Sequence, residues 1–306
     1  MSKNIDLSII IVTHNSEEYI DRCIESITCQ NFDNYEIVII DNSSIDNTIA
    51  RIQKNFNENI KIKYNEKNLG FSSAVNLGIK TACGDKVFLL NPDTKLKKGA
   101  IKRLFTKLKS SKYEIIVPQI LNEKNEIFRS VWRFPTLLSS LGELFYLDRL
   151  FYKKNYNDKD HNKPFEVESA SGAALFFNKK IVQKLGFFNE NLFWCEDIDF
   201  CKRLNVKNYK ILFYPKSKIV HFGGKSSEKN PEIRIVNQLL SKIKYFKIYH
   251  SVFEQKILYL VVLCTVIAKI FILTIFSTIS RKYKFYLAGY IISIKRLIKN
   301  DLRVYL

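Results

Sequence analysis

"LSIIIVTHNSEEYIDRCIESITCQNFDNYEIVIID", residues 7–41, decides the fold class. Its two ends, 7–13 and 35–41, are nearly unbroken runs of Ile and Val. Strands buried on both faces read this way, because neither face has to meet water. Between them Tyr19/Ile20, Cys23/Ile24 and Ile27 recur at helical spacing, with Ser16 as the candidate N-cap and acids in the first turn. The spacing predicts a helix over 16–30. Strand, helix and strand in so short a span call for a parallel pair joined by a crossover helix.

The pattern repeats outward. Helices are expected at 44–56 and 70–82, and strands at 60–65 and 86–91. The second half changes to short strands, at 114–121, 126–132, 171–178, 210–215 and 218–224, with helices within 179–204. Residues 144–164 start apolar and become polar, as a loop lying over a surface would. The expected architecture is α/β: a mostly parallel central sheet with flanking helices, whose back half is a smaller mixed-sheet region closing over a site. It spans 1–230, and a basic, apolar helical tail occupies 231–306.

The 306 residues suffice for a sizeable core. The six cysteines form no CxxC and no zinc-finger spacing, and read as reduced, mostly buried thiols. The start reads as a strand of the mature protein rather than a signal peptide. A net charge of +19 points to anionic partners, or to a Lys-, Ile- and Asn-rich composition with little specific meaning. About half of that excess lies from residue 241 on, where twelve Lys and Arg meet two acids, Glu254 and Asp301, for a net of +10. Nucleic-acid binding needs a basic patch with interleaved aromatics on the folded domain; here the charge sits beside apolar tail segments, so no nucleic acid is expected.

In open α/β sheets, ligands bind beyond the C-terminal ends of the parallel strands. The first four strands deliver Thr13-His14-Asn15, Asp41-Asn42-Ser43, 65–68 with Asn68 before Gly70, and Asn91-Pro92-Asp93 to one rim. Asp46, before Thr48, reads as a helix cap. No GxGxxG or GxxxxGK[ST] is present, which argues against dinucleotide and P-loop folds. A nucleotidyltransferase would want a Gly-rich basic loop after the first strand, where "THNSEEYI" stands. Asp93, on a turn stiffened by Pro92, suits a hard divalent cation, which takes one or two protein carboxylates and leaves room for phosphate oxygens.

"SIIIVTHNS", "EIVIIDNSS", "NLGFSSAVNLGI", "LLNPDT", "GAALFF", "CEDIDFCKRL" and "VHFGGKS" appear in the order found in GT-A glycosyltransferases of family 2. Over roughly residues 5–228 the chain resembles that family, most of all its rhamnosyltransferase-like members. The resemblance implies an inverting enzyme that moves a sugar from a nucleoside-diphosphate sugar, dTDP-rhamnose or a UDP-sugar, to a saccharide acceptor in surface polysaccharide assembly. It implies that Asp41 meets the pyrimidine, that Thr13, Asn15, Asn42, Asn68, Gly70 and Asn91 line the donor pocket, and that Asn76 and Gly78 serve helix packing. Asn91-Pro92-Asp93 stands for the DxD motif, with Asn at its first position, so Asp93 is the expected carboxylate for Mg²⁺ or Mn²⁺. His221 resembles a metal or diphosphate ligand, and Lys225 and Ser226 are candidate phosphate contacts. Asp197 is the expected base and Glu196 an acceptor-binding or loop-orienting neighbour. Asp199 and Arg203, at i,i+4, read as a surface ion pair. Trp132, Arg133 and Trp194 are candidates for an acceptor platform, since aromatic faces suit sugar rings.

The tail run 257–279 is broken only by Lys269 and is long enough to span a bilayer. Basic residues flank both ends, and 285–298 is too short to return, so a span would leave a basic tail outside. Helices lying on the anionic cytoplasmic face of the cell membrane are therefore expected, with a single transmembrane helix or a homodimer contact as alternatives. A membrane-bound tail fits a lipid-linked acceptor.

Overall fold

The computed structural model describes residues 5–55, 58–144, 156, 161–223, 230–278 and 280–303. The chain divides into two compact units: 1–134, 155–190 and 197–224 form the first, and 135–154, 191–196 and 225–306 the second. The unit boundary therefore differs from a single cut at residue 230, because two short segments of the front half group with the tail.

The first unit is a nine-stranded sheet. Its strands are β1 (Leu7–Thr13), β2 (Tyr35–Asp41), β3 (Ile60–Tyr64), β4 (Lys86–Leu90), β5 (Thr94–Leu96), β6 (Ile115–Leu121), β8 (Phe165–Val167), β10 (Ala174–Asn178) and β11 (Ile211–His221). A two-stranded ribbon pairs β7 (Val131–Trp132) with β9 (Ser169–Ala170). The sheet order is β3-β2-β1-β4-β10-β6-β11-β5, with β8 on β11. β1, β2, β3 and β4 run parallel, as do β6 and β11, while β10, β5 and β8 are antiparallel to their neighbours.

Side-chain alternation along β1 explains the layers. Leu7, Ile9 and Ile11 face one core, which α1 (Ile20–Thr28), α2 (Thr48–Lys54) and α4 (Ala100–Lys109) supply with Ile20, Ile24, Ile52 and Leu104. Ile10 faces the other side, against α3 (Phe71–Thr81). A Cβ on Gly78 would come 2.5 Å from the Ile10 Cγ2, so glycine sets that helix-to-sheet distance. Below the sheet, Glu36 is buried and accepts from the Ser8 hydroxyl and the Cys83 N–H, with Lys61 at 2.7 Å. Burial works against that charge, but Lys61 and the two donors outweigh it and hold the carboxyl below its usual range.

Several elements differ from expectation. α1 starts at Ile20, after a turn at Ser16. Within 126–132 only Val131–Trp132 pairs as a strand; Ile127 makes an isolated bridge. The two strands expected at 210–224 are one, β11, with a shift of register between Tyr214 and Lys218. Three of the six cysteines are buried and three, Cys29, Cys83 and Cys264, are exposed. Asp199 and Arg203 do not form a surface pair. Asp199 is buried, and Arg203 bonds it at 2.9 Å while donating to the carbonyls of Leu185, Gly186 and Phe187. The pair brackets the loop between α6 (Lys180–Leu185) and α7 (Glu196–Val206).

The second unit is helical: α5 (Leu137–Leu144), α8 (Pro231–Tyr249), α9 (Val252–Phe276) and α10 (Arg281–Ile298). Ser251 and Glu254 form a capping box that starts α9. α9 begins five residues before the expected span and ends before Ser277. Among the described residues it is the one helix long and apolar enough to cross a membrane. Gly289 of α10 lies so close to α8 that a Cβ there would sit 2.9 Å from the Glu232 carbonyl oxygen.

Candidate active site

The site grows from the polar residues at the C-terminal ends of β1, β2 and β4. Thr13 and Asp41 are partners in the β1–β2 register and are buried. The Asp41 carboxylate accepts from the Thr13 hydroxyl (2.8 Å), the Ser44 hydroxyl (2.6 Å) and the Ser44 N–H (3.0 Å). Asn15, in the left-handed region at φ 51°, completes the loop: its N–H donates to Ser44 Oγ and its side-chain oxygen accepts from Ile45 N–H. Asn tolerates that backbone better than most residues.

Asn42 is the hub. Its amide donates to Asn68 Oδ1 and to the Gly70 carbonyl, and its oxygen accepts from Asn65 Nδ2 and Leu69 N–H. Asn68 in turn accepts the Gly70 N–H. Gly70 stands at φ 81° just before α3, a conformation that favours glycine. Three loops are thus tied together by side-chain amides. The direct nucleotide contacts expected of Thr13, Asp41 and Asn42 meet a fact of packing: all three are buried, Thr13 is bonded to Asp41, and the Asn42 amide is bonded to Asn65, Asn68, Leu69 and Gly70.

Asn91-Pro92-Asp93 leaves β4 for β5. Thr94 Oγ1 closes the turn onto the Asn91 carbonyl, and Asn91 N–H donates to Ala173. The Asp93 carbonyl accepts from Phe222 N–H, because β5 pairs with the end of β11. That pairing brings His221 Nε2 to 3.1 Å from Asp93 Oδ1, both groups buried. Adjacent ligand atoms on an octahedral cation with bonds of about 2.1 Å are about 3 Å apart, so this pair fits two neighbouring positions. His221 Nδ1 is buried without a partner among the described residues, leaving the ring unfixed by a second bond. No group of three or more His, Cys, Asp or Glu among the described residues could enclose a metal alone.

Asp197 reaches the same rim from far along the chain. Gly172 N–H donates to its Oδ2 (3.0 Å) and Ile198 N–H to its Oδ1 (2.7 Å). A Cβ on Gly172 would stand 3.5 Å from the Phe71 ring and 3.6 Å from Asp197 Cβ. One path of contacts therefore runs from Asp41 through Asn42, Gly70, Phe71 and Gly172 to Asp197. A second runs from Asp93 through Asn91, Ala173 and Gly172 to the same carboxylate. Asp197 is half-buried, so it is reachable.

Trp132 ends β7 and Arg133 follows it in the chain. The Trp132 indole N–H is buried without a partner among the described residues. Arg133 lies 3.6 Å from Glu168 and lines a cavity of about 310 Å³ with Tyr156, Glu166, Asn205 and Lys210. Of the expected site residues, Arg133 alone lines that cavity. Trp194 and Glu196 belong to the second unit. Trp194 is exposed and stands at φ 77°, a strained backbone for a bulky residue. Lys225 and Ser226 lie outside the described residues.

Some contributors are not legible as site residues. Asn76 holds the 188–190 loop through Phe188 and Glu190. Asp46 accepts from Thr48 and Glu17 N–H, as a cap does. Phe128 packs edge-on against His221, while Phe222 stacks on Tyr19 under the Arg22 guanidinium. For Phe128 and Phe222 the signal in the sequence is aromatic placement beside a motif.

Comparison with known proteins agrees with this geometry. A family model described as glycosyl transferase family 2 matches residues 8–186. The low-salt glycan biosynthesis hexosyltransferase Agl10 of Haloferax volcanii is 32% identical over 67% of this chain and 64% of its own length. An uncharacterized glycosyltransferase of Haemophilus influenzae is 28% identical over half of each chain. The chain thus covers under two thirds of these relatives. Among solved structures, S. aureus TarS 1-349 superposes with a TM-score of 0.54 at 16% identity, over 97% of this chain and 92% of that one. GalNAc-T7 with UDP, GalNAc and Mn²⁺ gives 0.56 at 18% identity, over 72% and 44%. Such likeness speaks to the fold, which is GT-A: a mostly parallel sheet with flanking helices. With the family model covering more than half of its length, the chain belongs to glycosyl transferase family 2.

Proposed function

We propose that this chain transfers a sugar, with inversion, from a nucleoside-diphosphate sugar to a saccharide acceptor in glycan assembly. The observation that carries the reading is the pair of contact paths, through the Asn42 hub and through Asn91 and Ala173, that lead from the Asp41 and Asp93 loops to Gly172, whose N–H donates to Asp197. The loops joined by Asp41, Asn15 and Asn42 shape the place for the pyrimidine. Asp93 and His221 would hold Mg²⁺ or Mn²⁺, which offsets the charge of the departing diphosphate when bound. Asp197 takes the proton of the acceptor hydroxyl, whose oxygen bonds to the anomeric carbon while the bond to the diphosphate breaks on the opposite side. Two backbone N–H groups, of Gly172 and Ile198, aim that carboxylate. The Trp132 indole N–H, buried and without a partner among the described residues, is available to the acceptor.

The motif resemblance favours dTDP-rhamnose as donor. A UDP-hexose stands beside it, supported by a relative named a hexosyltransferase and a neighbour described with UDP and Mn²⁺. The basic tail supports a place on the inner face of the cell membrane and a lipid-linked acceptor.

The test is nucleotide release across a panel of donors. Asp197→Asn is expected to keep donor binding and lose transfer by about 10²–10⁴-fold. Asp93→Ala is expected to weaken Mn²⁺-dependent donor binding. Full transfer by Asp197→Asn would remove it as the base.

A further inference from the structure

α9 carries the strongest unassigned surface. At about 100° per residue, Phe253, Leu260, Cys264, Ile267, Phe271 and Ile275 fall within about 80° of one line along the helix. Apart from Cys264, also exposed, these side chains are 50–72% exposed, though all are apolar. The stripe runs the length of α9, about 33 Å from Phe253 to Ile275. The opposite face is different: Leu258, Val262, Thr265 and Val266 are buried within the helical unit. Lys269, the one charge within the apolar run, points to that inner side. Its Nζ lies 3.1 Å from the Tyr290 hydroxyl of α10 and 5.2 Å from the centre of that ring. Tyr259, also turned inward, donates to the Leu297 carbonyl.

We propose that α9 lies in the plane of an anionic bilayer leaflet, its Phe253–Ile275 stripe immersed and its opposite face held by α10. This rests on the membrane-bound reading above and assigns the face and the orientation. A helix crossing alone meets lipid on every side, and Lys269 would then sit in the hydrocarbon. Over residues 253–269 one side is apolar and bare while the other is packed, and beyond it Ile272 and Phe276 are exposed as well, which suits immersion to about 5–10 Å. Lys256 is exposed about 60° from the stripe, where its ammonium reaches head groups, and Lys282 and Lys284 are exposed at the start of α10. Charge complementarity selects the occupant: the net of +10 from residue 241 on favours anionic lipid over another copy of the same basic unit.

The test uses the full chain with phosphatidylcholine vesicles, with or without 30% phosphatidylglycerol as roughly the anionic share of a cell membrane. Wild type is expected to float with the anionic vesicles at least several-fold better than with the neutral ones. Leu260→Glu/Phe271→Glu is expected to stay in the soluble fraction and release nucleotide from donor at the wild-type rate. A fluorophore on Cys264, in a Cys29→Ser/Cys83→Ser background, reports depth with the other stripe residues unchanged. Spin labels near the head group should quench it more than labels deep in the acyl chains. Stronger quenching by the deep label means a span and overturns the proposal. So does wild type that ignores anionic vesicles, including a soluble dimer that the double variant splits. Flotation with no nucleotide release from any donor would instead sink the transferase reading and leave this one standing.

Discussion

At His221 one imidazole bonds Asp93 through Nε2 while its other nitrogen is buried without a partner among the described residues. Leaving a buried polar atom unmade costs about 1–3 kcal/mol, a cost more expected at a functional site than in a structural one. If the pair holds a cation, His221→Ala should raise the Mn²⁺ concentration for half-maximal nucleotide release by roughly 10–100-fold. Maximal release at saturating Mn²⁺ should fall less. An unchanged Mn²⁺ requirement would make His221 a packing residue for Phe128. By contrast, the Cys23 and Cys201 thiols are pushed up to about 12 by burial, which removes both from thiolate chemistry at neutral pH.

At the scale of elements, what fixes the rim is how closely the first strand and its neighbours approach. Gly84 has the least room to give: a Cβ there would lie 2.7 Å from the Ser8 nitrogen and 2.8 Å from the Leu7 carbonyl carbon, both backbone atoms. Gly84→Ala should therefore destabilise the fold by about 1–3 kcal/mol, read as a lowered urea midpoint at constant slope. Gly78→Ala should cost less, because it meets the Ile10 side chain rather than backbone. The buried runs of β1, β2 and β4 and the helices between them were legible, since their periods are set by local burial. β5, α4 and α5 were not. β5 is three residues long and exists through its pairing with β11, a contact more than a hundred positions away that no local period announces. β11 reads as two strands for a related reason: Pro215 and its neighbours interrupt the pattern, while the register shift against β6 absorbs them.

Across the whole molecule, the residues at the strand ends were legible as a rim, but their division of labour was not. Asn42 reads as a ligand contact in sequence, and in the structure its amide also ties together Asn65, Asn68, Leu69 and Gly70. The left-handed Trp194 was invisible, because nothing in a bulky side chain announces φ 77°. The tail was legible as basic and apolar, while the inward turn of Lys269 needed the neighbouring helix. Convergence of Asp41, Asp93 and Asp197 on one donor site remains the claim on which the functional account rests. The most direct measurement is diffraction from crystals grown with UDP or dTDP and Mn²⁺, using the manganese anomalous signal. The account predicts a manganese peak within bonding distance of the Asp93 carboxylate, with His221 beside it and the pyrimidine at the Asp41 end of the rim. A nucleotide seated in the cavity lined by Arg133 and Tyr156, with manganese remote from Asp93, would contradict it.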